Sequence, residues 1–308
     1  MRRVLLASAM LAILPVPPQP QPADTRLFHV VVSDDHGQDV HGIPAEDFFV
    51  AVDGVEQTIV SAVERTDAAT FVVIFVDDAH LVEPENANVT WLVRQFTSRL
   101  LTGARIALVQ GDSSNPHVQF AENRELTNAA ADTIKLPPLF AHRGTPGLDD
   151  LKSLDTLDRI AGQFPNDAPG RSAIVWLTQP LHKGLLDTAD RTARALSTRD
   201  VTLYAVNPAL VTALRDELLA EPNRPATLDL AEFKPSSPGA MTVRNAAVLT
   251  GGFAVQGGNI TGGLTRVLRD LNTWYDVTIA GSGKNQKPHS VTVGVKREGL
   301  VVRSRHDL

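Results

Sequence analysis

Two carboxylates and a histidine stand together where an apolar run ends. Phe71-Val72-Val73-Ile74-Phe75-Val76 leads into Asp77-Asp78-Ala79-His80-Leu81, with Glu83 just beyond. Carboxylates in such a place either cap a strand-to-helix turn or supply oxygen ligands to a hard cation. Imidazoles beside them would suit zinc, nickel or copper instead, and His80, His142 and His182 all fall on loops read at one edge of the same sheet. No two of these histidines have helical or hairpin ligand spacing, so scattered surface histidines are the plainer reading. A metal-assisted hydrolase at this edge would need a general base beside the ion, a role open only to His80 or Asp78. Other chemistries lack their residues. Without Cys there is no thiol nucleophile, zinc-thiolate site, lipid-modified cysteine or disulfide framework. No Gly-X-Ser-X-Gly elbow, phosphate-binding Gly-rich loop or His-Glu-X-X-His helix occurs. The stretch from Gly257 to Gly263 is Gly-rich but lacks dinucleotide spacing and reads as a turn. Trp91, Trp176 and Trp274 sit in apolar patterns and read as core.

The elements that must position these residues follow from periodicity. From Thr70 onward, apolar runs of strand length alternate with amphipathic helical stretches, which predicts a mostly parallel sheet covered on both faces. Strands are expected at Thr70–Val76, Arg105–Gln110, Ala173–Leu177, Val201–Val206 and Gly252–Val255, with a short antiparallel edge strand allowed at His117–Phe120. Helices are expected at Glu85–Leu101, Asn123–Lys135, Leu148–Phe164, Thr188–Arg199, Thr242–Leu249 and Thr261–Leu271. Ala220 to Pro238, punctuated by Pro222, Pro225 and Pro235, reads as a loop.

Both ends of the chain read differently. Leu27–Ser33, Phe48–Val52 and Gln57–Val63 are short strands with a hairpin signal at Asp53-Gly54. Trp274–Ala280, His289–Lys296 and Leu300–Arg305 alternate in the same way. Neither end buries much apolar surface alone, so the two are expected to join in one small β-sandwich interrupted by the α/β unit. The expected domains are a leader at 1–24, a discontinuous β-sandwich of 25–66 and 272–308, and an α/β domain of 67–271.

Composition bounds the partners. The chain has 308 residues, 43% hydrophobic and 21% charged, and a net charge of −6 without a basic stripe, which argues against nucleic acid. Met1-Arg2-Arg3, the apolar run Val4–Leu14 and the prolines that follow have the form of a secretory signal peptide too short to span a bilayer. The expected location is periplasmic or secreted, with no membrane span.

The strand that ends in Asp77 resembles the first core strand of von Willebrand factor A domains. Over nearly the whole mature chain the order of motifs is similar to bacterial, acidobacterial-type von Willebrand factor A-related proteins. The entry pattern is carried by Gly37, Asp47-Phe48, Val50 and Asp53-Gly54-Val55-Glu56-Gln57; the late pattern by Thr250-Gly251-Gly252-Phe253, Gly263 to Leu271 and Trp274-Tyr275; the closing pattern by His289 to Val295 and Arg303-Ser304-Arg305. The resemblance implies a von Willebrand factor A-like doubly wound α/β fold inserted in the small β-sandwich. It also implies a divalent cation held by an Asp-X-Ser-X-Ser loop, a Thr from a second loop and an Asp from a third. Here the first loop keeps Asp77 but has Ala79 and Leu81 in place of the serines, the second keeps Thr145, and the third has Gln179 in Thr178-Gln179-Pro180. Asp77 and Thr145 are then the remaining metal ligands of a weak or vestigial site, because magnesium demands a nearly ideal octahedral oxygen set. No cofactor is expected; weak magnesium is the first possibility and a transition metal the lesser one. The expected function is a non-enzymatic protein-binding or adhesion module that meets a protein or peptide at an edge comprising Asp77, Asp78, His80, Thr145 and Gln179. The alternative is a metal-assisted hydrolase using a His/Asp site there.

Overall fold

The computed structural model describes residues 25–66, 68–111, 116–139, 145, 147–165, 170–212, 237–257, 260–280 and 289–307. The leader at 1–24, His142 and most of the loop at 220–238 lie outside them. In chain order the strands are β1 (Thr25–Asp34), β2 (Phe48–Val52), β3 (Val55–Glu56), β4 (Ile59–Arg65), β5 (Thr70–Val76), β6 (Arg105–Gln110), β7 (Arg171–Leu177), β8 (Val201–Val206), β9 (Ala254–Val255), β10 (Trp274–Ala280), β11 (Val291–Val295) and β12 (Leu300–Arg303). The helices are α1 (Asn86–Arg99), α2 (Arg124–Asp132), α3 (Leu148–Ala161), α4 (Leu186–Thr198), α5 (Pro238–Leu249) and α6 (Ile260–Asn272).

The fold is α/β. A five-stranded parallel sheet of order β6-β5-β7-β8-β9 is flanked by helices, and antiparallel strands lie beside it. β5, β7 and β8 are buried at every position, as strands covered on both faces must be. Their side chains alternate between two cores. Val72, Ile74 and Val76 pack with Val89, Leu92 and Phe96 of α1 and Leu264, Val267 and Leu271 of α6. Phe71, Val73 and Phe75 pack with Leu154, Leu157 and Ile160 of α3, Leu196 of α4 and Val243 of α5. The chain leaves β5 toward β6 and then returns to the other side of β5 as β7, so the strand order reverses between β5 and β7. Such a reversal opens a crevice beyond the carboxyl ends of the two strands.

Several local expectations need correction: β9 begins at Ala254 instead of Gly252, α2 ends at Asp132 instead of Lys135, and α3 ends at Ala161 instead of Phe164. Residues His117–Phe120 form no strand; only Ala121 bridges Ile106, in antiparallel sense. α4 begins at Leu186, ahead of the expected Thr188. α5 begins at Pro238, ahead of Thr242, because Ser237 accepts a hydrogen bond from the Ala240 N–H at 3.1 Å and the following proline fits the first helical turn. A proline taken only as a breaker hides that start.

The two ends of the chain do pair. β10 lies between β1 and β4, β12 continues the sheet beyond β1, and β11 pairs with β2 in a second sheet. The Asp53-Gly54 turn connects β2 to β3 with φ of 51° and 79°. Positive φ at both central residues gives the twist that a two-residue hairpin needs. Phe28, Val30 and Val32 meet Phe48, Val50 and Val52 across the two sheets, with Tyr275, Val277 and Ile279 completing the core.

The opposite face of β1 meets the parallel sheet at its amino end. Buried His29 lies 2.8 Å from Asp276 through Nδ1 and 3.1 Å from Asp200 through Nε2, and Arg305 reaches Asp200 at 3.1 Å. Asp200 turns the chain from α4 into β8 with a φ of 56°. Burial by itself would lower the His29 pKa, but Asp200 and then Asp276 outweigh it and hold it above the ordinary 6.5. Burial would raise Asp200, but His29 and Arg305 draw it down to about 2. The raised histidine stabilises the junction fully below pH 6.5 and loses its contribution as pH climbs through its folded value. The depressed carboxylate contributes above 3.8 and loses its share as pH falls toward about 2. Melting temperatures of wild type and His29→Gln should therefore differ most between these limits and converge in alkali. A difference that grew with rising pH would contradict the assignment.

Candidate functional site

At the crevice between β5 and β7, Asp77 follows β5 and Thr178 follows β7. The Asp77 side chain turns inward and is 1% exposed. Its Oδ1 accepts a hydrogen bond from Ser153 Oγ at 2.8 Å, and its Oδ2 accepts from Thr178 Oγ1 at 2.9 Å and from the Trp176 indole N–H at 3.1 Å. His80 Nδ1 adds a further contact to Oδ2 at 2.9 Å. The backbone carbonyl of Asp77 meanwhile accepts from the N–H groups of His80 and Leu81, each at 3.1 Å, which closes the turn and aims the imidazole inward.

The other His80 nitrogen, Nε2, lies 2.8 Å from Asp150 Oδ1. Asp150 is fully buried in the first turn of α3, and its carboxylate also accepts from the His182 N–H at 3.0 Å and the Lys183 N–H at 3.0 Å. His182 Nδ1 stands 3.2 Å from the same Oδ1. A ring with a carboxylate on each nitrogen donates from both only when it is doubly protonated. Burial opposes that charge, but the hydrogen bonds and charges of Asp77 and then Asp150 outweigh it and push the His80 pKa up to about 9. Burial likewise works against the Asp150 carboxylate, yet the His182 N–H and His80 hold it below the ordinary carboxylate range. A buried carboxylate thus lies against each His80 nitrogen beyond the ends of β5 and β7.

Packing sets this geometry. Gly239, in the first turn of α5, passes so close to the loop after β7 that a Cβ there would fall 1.7 Å from the Leu181 carbonyl oxygen. Thr242 Oγ1 accepts the Leu185 N–H at 2.9 Å. Together these contacts hold the loop that carries His182 over α3.

The other expected site residues are more dispersed. Asp78 is half-buried in the turn, close to Gly111, where a Cβ would lie 3.2 Å from Asp78 Oδ2. Thr145 is exposed ahead of α3, where its carbonyl accepts the Leu148 N–H at 2.8 Å. Gln179 is half-buried and donates through Nε2 to Glu85, a buried carboxylate whose Oε2 accepts the Val82 N–H at 2.9 Å. Glu83 is exposed. Leu81 is fully buried in the core, so a serine there would remove apolar packing as well as add a hydroxyl. Trp176 is core, as its pattern implied, but it also spends its indole N–H on Asp77. Asp150 and Ser153 were missed in the sequence. The pair Asp149-Asp150 at a helix start reads equally well as acids placed against the helix dipole.

No protein-family model and no curated protein matches the chain. Solved structures it resembles include the von Willebrand factor A domain of SpRpn10, at 9% identity and a TM-score of 0.34 over 46% of this chain and 75% of that one. Another is proximal thread matrix protein 1 from the mussel byssus with a zinc-occupied MIDAS motif, at 11% identity and a TM-score of 0.43 over 72% of this chain. A second crystal form of that mussel protein matches at 17% identity and a TM-score of 0.32 over 47% of this chain and 38% of that one. The match to the zinc-occupied form spans 50% of the mussel chain. No described helix is long and apolar enough to cross a membrane.

Proposed function

We propose that the chain is an exported, non-enzymatic binding or adhesion module of the von Willebrand factor A type. It meets a protein or peptide at the loops beyond the carboxyl ends of β5 and β7, and does so without a magnesium bridge. The observation that carries this reading is the occupancy of Asp77: all its partners are side chains of the protein, and the neighbouring positive charge is His80. A hard cation would have to displace these donors and then find its remaining oxygens among Ala79, Leu81 and Gln179, which offer one amide oxygen between them. Ligand recognition would then rest on loop shape and on exposed groups such as Thr145, His182 and Lys183.

Partner capture tests it. Wild type and a variant carrying Thr145→Glu, Gln179→Glu and Lys183→Glu would be cross-linked to exported proteins of the source cell, with and without EDTA. The expected result is a cross-linked partner that survives EDTA and is lost with the edge variant, alongside calorimetric magnesium binding no tighter than millimolar. A partner kept by the edge variant, or one that EDTA releases and magnesium restores, overturns the reading.

A further inference from the structure

The donor atoms around Asp150 have the composition and spacing of a metal site of a different kind from the one the first loop has lost. A ring nitrogen of His80, a carboxylate oxygen of Asp150 and a ring nitrogen of His182 all lie within 4.8 Å of one another, and His80 Nε2 and His182 Nδ1 stand 2.8 and 3.2 Å from Asp150 Oδ1. Zinc bonds of about 2.0–2.1 Å in a tetrahedron place ligand atoms roughly 3.3 Å apart. The two imidazoles therefore need to part from Asp150 Oδ1 by about half an ångström or less, while the His80 and His182 ligand atoms start within 4.8 Å of each other. Two imidazoles and a carboxylate suit a zinc-class ion and do not suit magnesium.

The surroundings add an independent argument. A histidine that holds a metal through one nitrogen usually gives its other N–H to a carboxylate, which fixes the ring and its tautomer. His80 already does this: Nδ1 is turned to Asp77, which Ser153 and Thr178 hold from behind. Asp150 is oriented in the same way, because its Oδ2 accepts the Lys183 N–H at 3.0 Å. His80 and Asp150 are buried while the His182 side chain is 37% exposed, so the cluster opens to solvent on the His182 side.

We propose that His80, Asp150 and His182 form a three-ligand site for a zinc-class divalent ion, with a fourth coordination position open toward solvent. The ion would lie between His80 Nε2 and Asp150 Oδ1, which now meet directly at 2.8 Å. The binding-module reading stands with or without it.

The test uses the full chain without a histidine tag, stripped with chelator and titrated with zinc chloride by calorimetry, then with cobalt(II) as a spectroscopic probe. Roughly one equivalent of zinc should bind in the micromolar range or tighter, and cobalt should give the intense visible bands of a four-coordinate ion. His182→Ala, a change at the solvent-facing ligand, should keep the fold and weaken zinc by more than the roughly 10–100-fold that disturbing an outer hydrogen-bond partner brings. His36→Ala removes a histidine that is 82% exposed on the β-sandwich and should change nothing. Absence of zinc binding by the wild type, or unchanged affinity and cobalt spectrum in His182→Ala, overturns the site.

Discussion

Asp77→Ala is expected to destabilise the protein by roughly 3–5 kcal/mol, because it strands several buried donors at once while His80 keeps Asp150. The substitution removes the acceptor for Ser153, Trp176, Thr178 and His80 together, and every one of these donors is buried. A stranded donor costs about 1–3 kcal/mol, and a stranded charge more. Against a total stability on the order of 5–15 kcal/mol, this is a large share. The melting temperature should fall by roughly 5–10 °C. Asp77→Asn, which keeps one oxygen and the shape, should fall less. The pair of variants separates two roles for the same residue. An acid whose task is to hold a cation at an open edge gives a variant that folds normally and stops binding. An acid at the centre of a buried hydrogen-bond network gives a variant that melts early. Differential scanning calorimetry decides it, and a wild-type melting curve for Asp77→Ala would refute the network.

Ending the chain after Leu271 should abolish the β-sandwich. β10 is the strand between β1 and β4, so its loss leaves those two without a common partner, and the losses of β11 and β12 uncover β2 and the far side of β1. Tyr275, Val277, Ile279 and Val291 leave the core at the same time. What remains at the amino end is a two-residue ladder between β2 and β3, far below what an independent sheet needs in water. Hydrogen exchange should show residues 25–66 of the truncated protein exchanging at the rate of an unfolded chain. Thr70–Val76, buried between helices, should retain slow exchange. Wild-type protection over 25–66 would mean that the amino-terminal strands fold without their carboxyl-terminal partners.

Much of this architecture was legible from the chain because it is written in short-range patterns. The continuous apolar run Thr70–Val76 needs cover on both faces, and both faces are covered. Asp53-Gly54 dictates a tight turn through its own backbone preferences, and the turn is there. Asp77, placed where an apolar strand ends, had to emerge at the carboxyl edge of the sheet. The interior of the crevice was not legible in this way. His80 meets Asp150 across 70 residues of sequence, and Ser153, Trp176 and Thr178 reach Asp77 across 76, 99 and 101. Nothing local distinguishes Asp150 from any acid in the first turn of a helix, or Gln179 bonded to Glu85 from a polar residue in solvent. Periodicity fixes which face a residue occupies, because that depends on its immediate neighbours along the chain. Which donor meets which acceptor depends on how whole helices seat on the sheet. Only that packing brings Asp150 to His80 and sets a buried imidazole between Asp150 and the Asp77 carboxylate that the first loop retained.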